Sequence, residues 1–163
     1  MSSGGLLHSL LRYVLLLALV LWIGGIVFFS FIASPSIFKI LPREQAGLVV
    51  GDIFPKYHLL GYISCLVALG CLLGLRQLGT VQAAGTAMIL LLVMGSIQVT
   101  MGTVIGPKVI EARDAVKSAT PGPEKDRLEK KFRGLHGVSM IFNLVLLIFE
   151  LILLYWLAIR LQL

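Results

Sequence analysis

Four long runs without charge constrain this chain more than any other feature. They are residues 13–33, 57–75, 77–107 and, apart from Glu150, 134–159. Each run can supply the roughly 20 residues that cross a hydrocarbon core about 30 Å thick. Lipid offers the backbone no hydrogen-bond partner, so we expect every run to be helical. The sequence therefore predicts an all-α integral membrane protein whose single domain, residues 1–163, is a four-transmembrane-helix bundle with helices at about 10–34, 56–76, 80–118 and 123–161.

The first run has Arg12 before it, as a secretory signal would. It is longer than the apolar core of a signal peptide, however. A cut after Ala33 would also leave the bulky Phe31 where a small residue is required. We therefore expect a retained transmembrane helix.

The positive charges predict an orientation. Of the 14 Lys and Arg residues, eleven lie in the segments 34–56 and 107–133, and the other three are Arg12, Arg76 and Arg160. Under the positive-inside rule, the two rich segments are cytoplasmic loops and both termini are outside. This predicts a protein of the cytoplasmic (inner) membrane. Basic loops beside an anionic leaflet account for the formal net charge of +6, and nothing in the sequence resembles a nucleic-acid-binding module.

The first cytoplasmic loop has the pattern of a short interfacial helix. It would begin near Pro42 and end at Pro55. Its apolar side, which suits a helix lying in the membrane interface, would comprise Leu48, Val49, Ile53 and Phe54.

The second cytoplasmic loop predicts a charged helical hairpin that extends the third and fourth helices. Helix three is expected to continue past Pro107 towards Ser118, and "TPGP" is a turn signal. Helix four should begin at Pro123, with Glu124 and Asp126 in its first turn, where acidic groups favour the positive end of the helix dipole. The alternative interpretation is a solvated loop without a partner.

The last run carries a polar stripe. His136, Asn143 and Glu150 are spaced seven and seven, almost two turns, so they share one helix face with Ser139 close beside them. We expect this stripe to face the bundle interior, because polar groups facing lipid are costly. Gln98 of the third helix should lie at the depth of Asn143, where an amide pair would contribute about 0.6 to 2 kcal/mol. These five residues form the candidate intramembrane polar site.

Of these five residues, Glu150 is the hardest to explain by a purely structural role. A carboxylate near the bilayer centre costs a few kcal/mol or more, so the group must be protonated, paired or hydrated. A neutral carboxyl at such a depth can carry a proton. The alternative is that Glu150 only forms a hydrogen bond with a neighbour.

His58 and His136 open the second and fourth helices from the same side, so we expect them at similar depth. One interpretation is that each forms hydrogen bonds with water or backbone near the headgroups. The other is that they converge as a ligand pair for a metal or a haem iron, since neutral imidazole is a common ligand in helix bundles.

Four stretches carry a family resemblance: "LWIGGIVFFSFIASPSIF", "AGLVVGDIFPKYHLLGY", "GTVIGPKVIEARDAV" and "LEKKFRGLHGVSMIFNLV". In this order the chain resembles the transmembrane protein 205-like family, also called domain of unknown function 4149 (DUF4149). The resemblance implies a four-helix integral membrane protein; animal members are associated with platinum-drug resistance and membrane trafficking. Its most specific residues are Phe54, Pro55, Tyr57, His136, Gly137 and Asn143.

A weaker resemblance concerns "WIGG" at Trp22 to Gly25, which is similar to the copper-resistance D and HemJ-like membrane group. That group binds haem or copper and places a histidine in its first helix. The resemblance implies haem b or copper as a cofactor. Here the only histidine near that helix is His8, which precedes its membrane part.

Three functions are compatible with these features. The first is binding or moving a small solute or metal species across the membrane, for which four helices imply a homo-oligomer or a partner membrane protein. The second is a b-type haem or metal redox protein that uses His58 and His136. The third is an accessory subunit of a larger membrane complex, docked through the charged hairpin. The sequence does not favour an enzyme, because it shows no nucleophile with its base, no phosphate loop and no paired carboxylates.

Overall fold

A computed structural model describes residues 3–79 and 84–160. Within these residues, four helical spans are long and apolar enough to cross a membrane, which confirms the predicted fold class: Gly5–Ile40, Arg43–Gln77, Gly85–Ser118 and Pro123–Arg160. Two of them contain a π-helical segment. The elements in chain order are α1 (Ser3–Val27), the π-segment Phe28–Ala33, α2 (Ser34–Ile40), α3 (Arg43–Gln77), α4 (Ala84–Thr100), the π-segment Met101–Ile105, α5 (Gly106–Ser118) and α6 (Pro123–Arg160).

The four spans are arranged as a square. The first span, which contains α1 and α2, packs against α3 and α6, and the third span, which contains α4 and α5, packs against the same two helices. Consecutive spans run in opposite directions, so α3 and α6 lie on a diagonal and run the same way. We call the end with the connections at 41–42 and 119–122 the hairpin end, and the opposite end the terminal end.

Both π-segments precede a proline. The N–H of Ser34 donates to the carbonyl of Phe29, and the N–H of Gly106 donates to the carbonyl of Met101, each five residues back. Pro35 and Pro107 follow at once, and neither has an N–H to donate. A widened turn accommodates the proline ring without breaking the span, but it leaves a backbone carbonyl of that turn without its helical donor.

The first loop differs from its prediction. A helix does begin where it was expected, at Arg43 after Pro42, but α3 continues through Pro55 to Gln77. The predicted end of a helix at Pro55 is therefore wrong, as is a second span beginning only at 56. A proline inside a membrane helix is tolerated when neighbouring helices pack around the freed carbonyl.

The charged hairpin is confirmed. The helix of the third span continues to Ser118, and α6 begins at Pro123 after Gly122, which has a φ of 153°. Two contacts attach α5 to α3: Arg113 donates to the Gly47 carbonyl at 2.7 Å and Lys117 forms a salt bridge with Glu44 at 2.7 Å. The predicted start of helix three at 80 and end of helix four at 161 lie outside the described residues.

The bundle core is apolar towards the terminal end and polar nearer its centre. Leu15, Leu72, Leu91 and Leu153 are among the fully buried side chains there. Many large apolar side chains remain exposed on the outer faces of the spans, as expected for surfaces that contact lipid.

Candidate functional site

A cavity of about 470 Å³ lies between the first span and α6, beside the first π-segment. We call it the cleft. Apolar side chains form most of its wall, and Phe31, Met140 and Ile141 are more than half exposed, so the cleft opens towards the lipid. Its complete lining is Ile26, Phe29, Ser30, Phe31, Ser34, Pro35, Val50, Phe54, His136, Ser139, Met140, Ile141, Asn143, Leu144 and Leu147.

The polar groups of the cleft come from two elements. The π-segment and its flank supply Ser30 and Ser34, and the stripe of α6 supplies His136, Ser139 and Asn143. Because the π-segment precedes Pro35, a backbone carbonyl of this turn also lacks its helical donor. Among the described residues, no Asp, Glu, Lys or Arg side chain lines the cleft. Such a site suits a ligand that is largely apolar and carries a few hydrogen-bonding groups.

A second cavity, of about 870 Å³, lies at the hairpin end. We call it the vestibule. It is charged, and His136 lines it as well as the cleft, so that one side chain marks where the two cavities meet. The lining comprises Phe38, Arg43, Glu44, Gly47, Leu48, Arg113, Asp114, Val116, Lys117, Lys125, Glu129, Phe132, Arg133 and His136.

A hydrogen bond across the bundle bounds the inner side of the cleft. The Tyr57 hydroxyl of α3 donates to the side-chain oxygen of Asn143 on α6 at 3.0 Å, along the diagonal of the square. Phe29 and Phe54 hold the tyrosine ring, with ring centroids 5.3 and 6.2 Å from it. This bond directly links the cleft lining to the bundle interior.

A buried polar cluster joins three spans around Gly61. Gln98, which is 1% exposed, approaches His58 Nδ1 at 3.3 Å and donates to the His58 carbonyl at 3.3 Å. A Cβ placed on Gly61 would meet the Gln98 amide and would lie 3.0 Å from Trp22 Nε1. Only glycine leaves room for both side chains. Among the described residues, Trp22 Nε1, His58 Nε2 and Gln98 Oε1 are buried without a hydrogen-bond partner.

Glu150 lies in the interior, as its stripe predicts. Its side chain is 0% exposed, and neither carboxyl oxygen has a hydrogen-bond partner among the described residues.

The two amides have partners other than the ones the sequence predicts. Instead of pairing with each other, Gln98 contacts His58 and Asn143 accepts from Tyr57, and both of these partners belong to α3. Each amide links its own helix to α3 instead. The polar stripe is buried at Ser139 and Glu150, half-buried at Asn143 and exposed to the cavities at His136.

The structure does not bring His58 and His136 together. Since α3 and α6 run in parallel and Tyr57 pairs with Asn143, His136 lies eight residues, or about 12 Å, nearer the hairpin end than the level of His58. His58 packs among aromatic rings, whereas His136 stacks on Phe132 with ring centroids 6.0 Å apart. The expected equal depth failed because the register between α3 and α6 places Tyr57, and not His58's own level, opposite Asn143, which lies seven residues beyond His136.

This placement does not fit a bis-histidine haem or a metal held by the two histidines. His58 has an unpartnered Nε2, as an axial ligand requires, but it lines neither the cleft nor the vestibule. Within residues 3–79 and 84–160, no group of three or more His, Cys, Asp or Glu side chains could hold a metal ion.

Sequence reasoning missed several residues of the site. Trp22 and Tyr57 appear only in the stretches that carry the resemblances, and the predicted site includes neither Gly61 nor Gly102. A Cβ on Gly102 would meet the Tyr62 hydroxyl, so this glycine also permits a close approach of helices. The sequence feature that could have identified two of these aromatic residues was the "FPKY" stretch. The rings of its Phe54 and Tyr57 lie against each other beside the cleft.

Comparison with known proteins supports part of the resemblance. A protein of Aquifex aeolicus (strain VF5), described as an uncharacterized protein, is 33% identical over 136 residues, which are 83% of this chain and 86% of that relative. No solved structure matches the chain. The more specific likeness to transmembrane protein 205 and the likeness to the copper-resistance D group stay predictions. A family model described as "Domain of unknown function (DUF4149)" matches residues 17–118, and the chain therefore belongs to the DUF4149 family.

Proposed function

We propose that this membrane protein binds a small amphipathic solute in the cleft and moves it across the membrane along the polar stripe of α6. The cleft is the observation that carries the proposal. Its volume of about 470 Å³ falls within the range of about 300–1,000 Å³ that small-molecule sites occupy, and its wall combines apolar surface with a few polar groups.

The position of the cleft favours a solute that arrives from within the leaflet. Its outer wall is the exposed apolar surface at Phe31, Met140 and Ile141, which faces the lipid chains. Its polar side chains lie deeper, on α6 and on the π-segment. A molecule with one apolar part and one hydrogen-bonding part satisfies both surfaces.

Movement beyond the cleft requires the interior to open at one place. Asn143 lines the cleft, and its hydrogen bond with Tyr57 lies between the cleft and the region of Glu150. Such interhelical bonds in membrane proteins contribute on average about 0.6 kcal/mol, so breaking this one is not a large barrier. Glu150, which is buried without a hydrogen-bond partner among residues 3–79 and 84–160, then offers the next polar group along the stripe.

Tryptophan fluorescence tests binding in the cleft. The chain has two tryptophans, Trp22 and Trp156, and Trp22 lies one turn from Ile26, which lines the cleft. In the Trp156→Phe variant, reconstituted in zwitterionic nanodiscs, lysophosphatidylcholine with a brominated chain should quench Trp22 saturably. The Trp22→Phe variant keeps Trp156 at the terminal end and reports partitioning of the probe into the bilayer alone.

A matched pair of serine variants locates the binding. Ser139→Leu fills the cleft from α6 and should remove the saturable quenching. Ser96→Leu makes the same change on an exposed position of α4 whose hydroxyl bonds only its own helix at the Leu92 carbonyl, and it should bind as the parent does. Binding in the cleft would be refuted if both tryptophans were quenched equally, or if the two serine variants showed the same saturable quenching of Trp22.

Movement needs a separate assay. In proteoliposomes, a fluorescent lysophosphatidylcholine becomes inaccessible to external dithionite once it reaches the inner leaflet. Glu150→Gln should slow this transfer while leaving the quenching of Trp22 unchanged. Transfer at the parent rate would show that Glu150 has no part in movement. The role of accessory subunit, and the predicted homo-oligomer or partner protein, stay predictions that this experiment does not address.

A further inference from the structure

The vestibule carries excess positive charge that the fold leaves unpaired. Of its five basic side chains, Arg113 is paired with Asp114 at 2.9 Å and Lys117 with Glu44 at 2.7 Å. The remaining basic side chains have no salt bridge among the described residues: Arg43, Lys125 and Arg133. Among the described lining residues, Glu129 is the one acidic residue without a salt bridge, so two net positive charges are available to a ligand.

The cleft has the opposite character. Within the part of the chain that the structure describes, no charged side chain lines it, and its wall is mostly apolar. His136 lines both cavities, so a molecule lying across that side chain would have one end in a basic environment and the other in an apolar one. Charge and polarity therefore change from one end of the combined site to the other.

We propose that the cleft and the vestibule together hold one anionic single-chain phospholipid, with its chain in the cleft and its head group in the vestibule. This inference rests on the proposed function, because it names the class of solute that the cleft receives. An anionic head group matches the charge of the vestibule, and a chain matches the wall of the cleft. A free anion would use only the vestibule, and an uncharged amphiphile would use only the cleft.

The expected preference follows from the unpaired charge. A basic residue near a membrane surface attracts anionic lipid by about fivefold in affinity. With two net positive charges, lysophosphatidylglycerol should therefore bind about 25-fold more tightly than lysophosphatidylcholine of the same chain. Both lipids are given brominated chains, and quenching of Trp22 is measured in the Trp156→Phe protein.

Two double variants of equal charge separate the vestibule from the general surface of α6. Lys125→Gln with Arg133→Gln removes two unpaired lining residues and should abolish the preference, with lysophosphatidylcholine affinity unchanged within about twofold. Arg127→Gln with Lys131→Gln changes the same residue types on the same helix, at exposed positions outside the vestibule, and should keep the preference. Unchanged binding of the zwitterionic lipid shows that each variant is folded.

The outcomes separate the two proposals. If the protein binds both lipids with equal affinity, or if both double variants lose the preference equally, the head group in the vestibule is not specifically anionic. Binding in the cleft would still stand. If inorganic phosphate alone displaces the bound lipid fully, the vestibule binds a free anion and the combined site is refuted. If neither lipid quenches Trp22 beyond the Trp156 reference, the proposed function fails together with this inference.

Discussion

The close approach of three spans at Gly61 gives the sharpest test of the structure. A Cβ at this position would lie 2.7 Å from Gln98 Cδ and 3.0 Å from Trp22 Nε1, and closer still to the Gln98 amide nitrogen. The backbone cannot retreat easily, since α3 packs against both neighbouring spans here. In Gly61→Ala, the Gln98 side chain must therefore leave its position beside His58.

The magnitude follows from three contributions. Overpacking of a buried site costs about 1–3 kcal/mol. Loss of the two Gln98 contacts adds about 0.6 kcal/mol each, the average for interhelical hydrogen bonds in membranes. Replacing glycine by alanine in a helix interior stabilises the helix by about 1 kcal/mol, which offsets part of these costs. The variant should be destabilised by about 1–3 kcal/mol overall.

Gly70→Ala is the matched control. It lies on the same helix, and a Cβ there would meet nothing within 4 Å, so it should be neutral or slightly stabilising. Stability is measured as the free energy of unfolding in detergent titrated with sodium dodecyl sulfate, followed by circular dichroism. The reasoning is refuted if Gly61→Ala unfolds at the same denaturant fraction as Gly70→Ala.

A double variant checks the assigned cause. Gln98→Ala removes the side chain that the new methyl group would displace, so Gly61→Ala should cost less in that background than in the parent. The loss of unfolding free energy that Gly61→Ala still causes in the Gln98→Ala background is attributed to the contact with Trp22. Strict additivity of the two changes would show that the glycine and the amide do not interact, since residues in contact are expected to couple.

Other consequences can be measured in the same assay. Tyr57→Phe and Asn143→Leu should show a coupling energy of about 0.6 kcal/mol, and up to about 1.7 kcal/mol, whereas zero coupling would contradict the hydrogen bond between them. Gly102→Ala should destabilise the bundle by about 1–3 kcal/mol because a tyrosine hydroxyl occupies the space, whereas Gly85→Ala, with open space around it, should not. Glu150→Gln should change the free energy of unfolding by less than about 1 kcal/mol, because no partner is lost; a large loss would reveal a bond that the structure does not contain.

Much of the architecture could be predicted because its causes are local. Charge-free runs of sufficient length specify the spans, and the hairpin follows from Pro123 and the acidic residues of the first turn. The interior position of Glu150 follows from helical spacing within one helix. At Pro55 the same local reasoning failed, since packing by neighbouring spans decides whether a proline ends a membrane helix.

The sequence by itself determined which residues share a face of α6, and the tertiary structure decided what they meet. Spacing along one helix is fixed by its pitch, but the register between two helices depends on all their contacts. Hence the predicted equal depth of His58 and His136 was wrong, and Asn143 forms its hydrogen bond with Tyr57 rather than with Gln98. The cleft and the vestibule likewise exist only where separate spans come together, so no single stretch of sequence encodes either cavity.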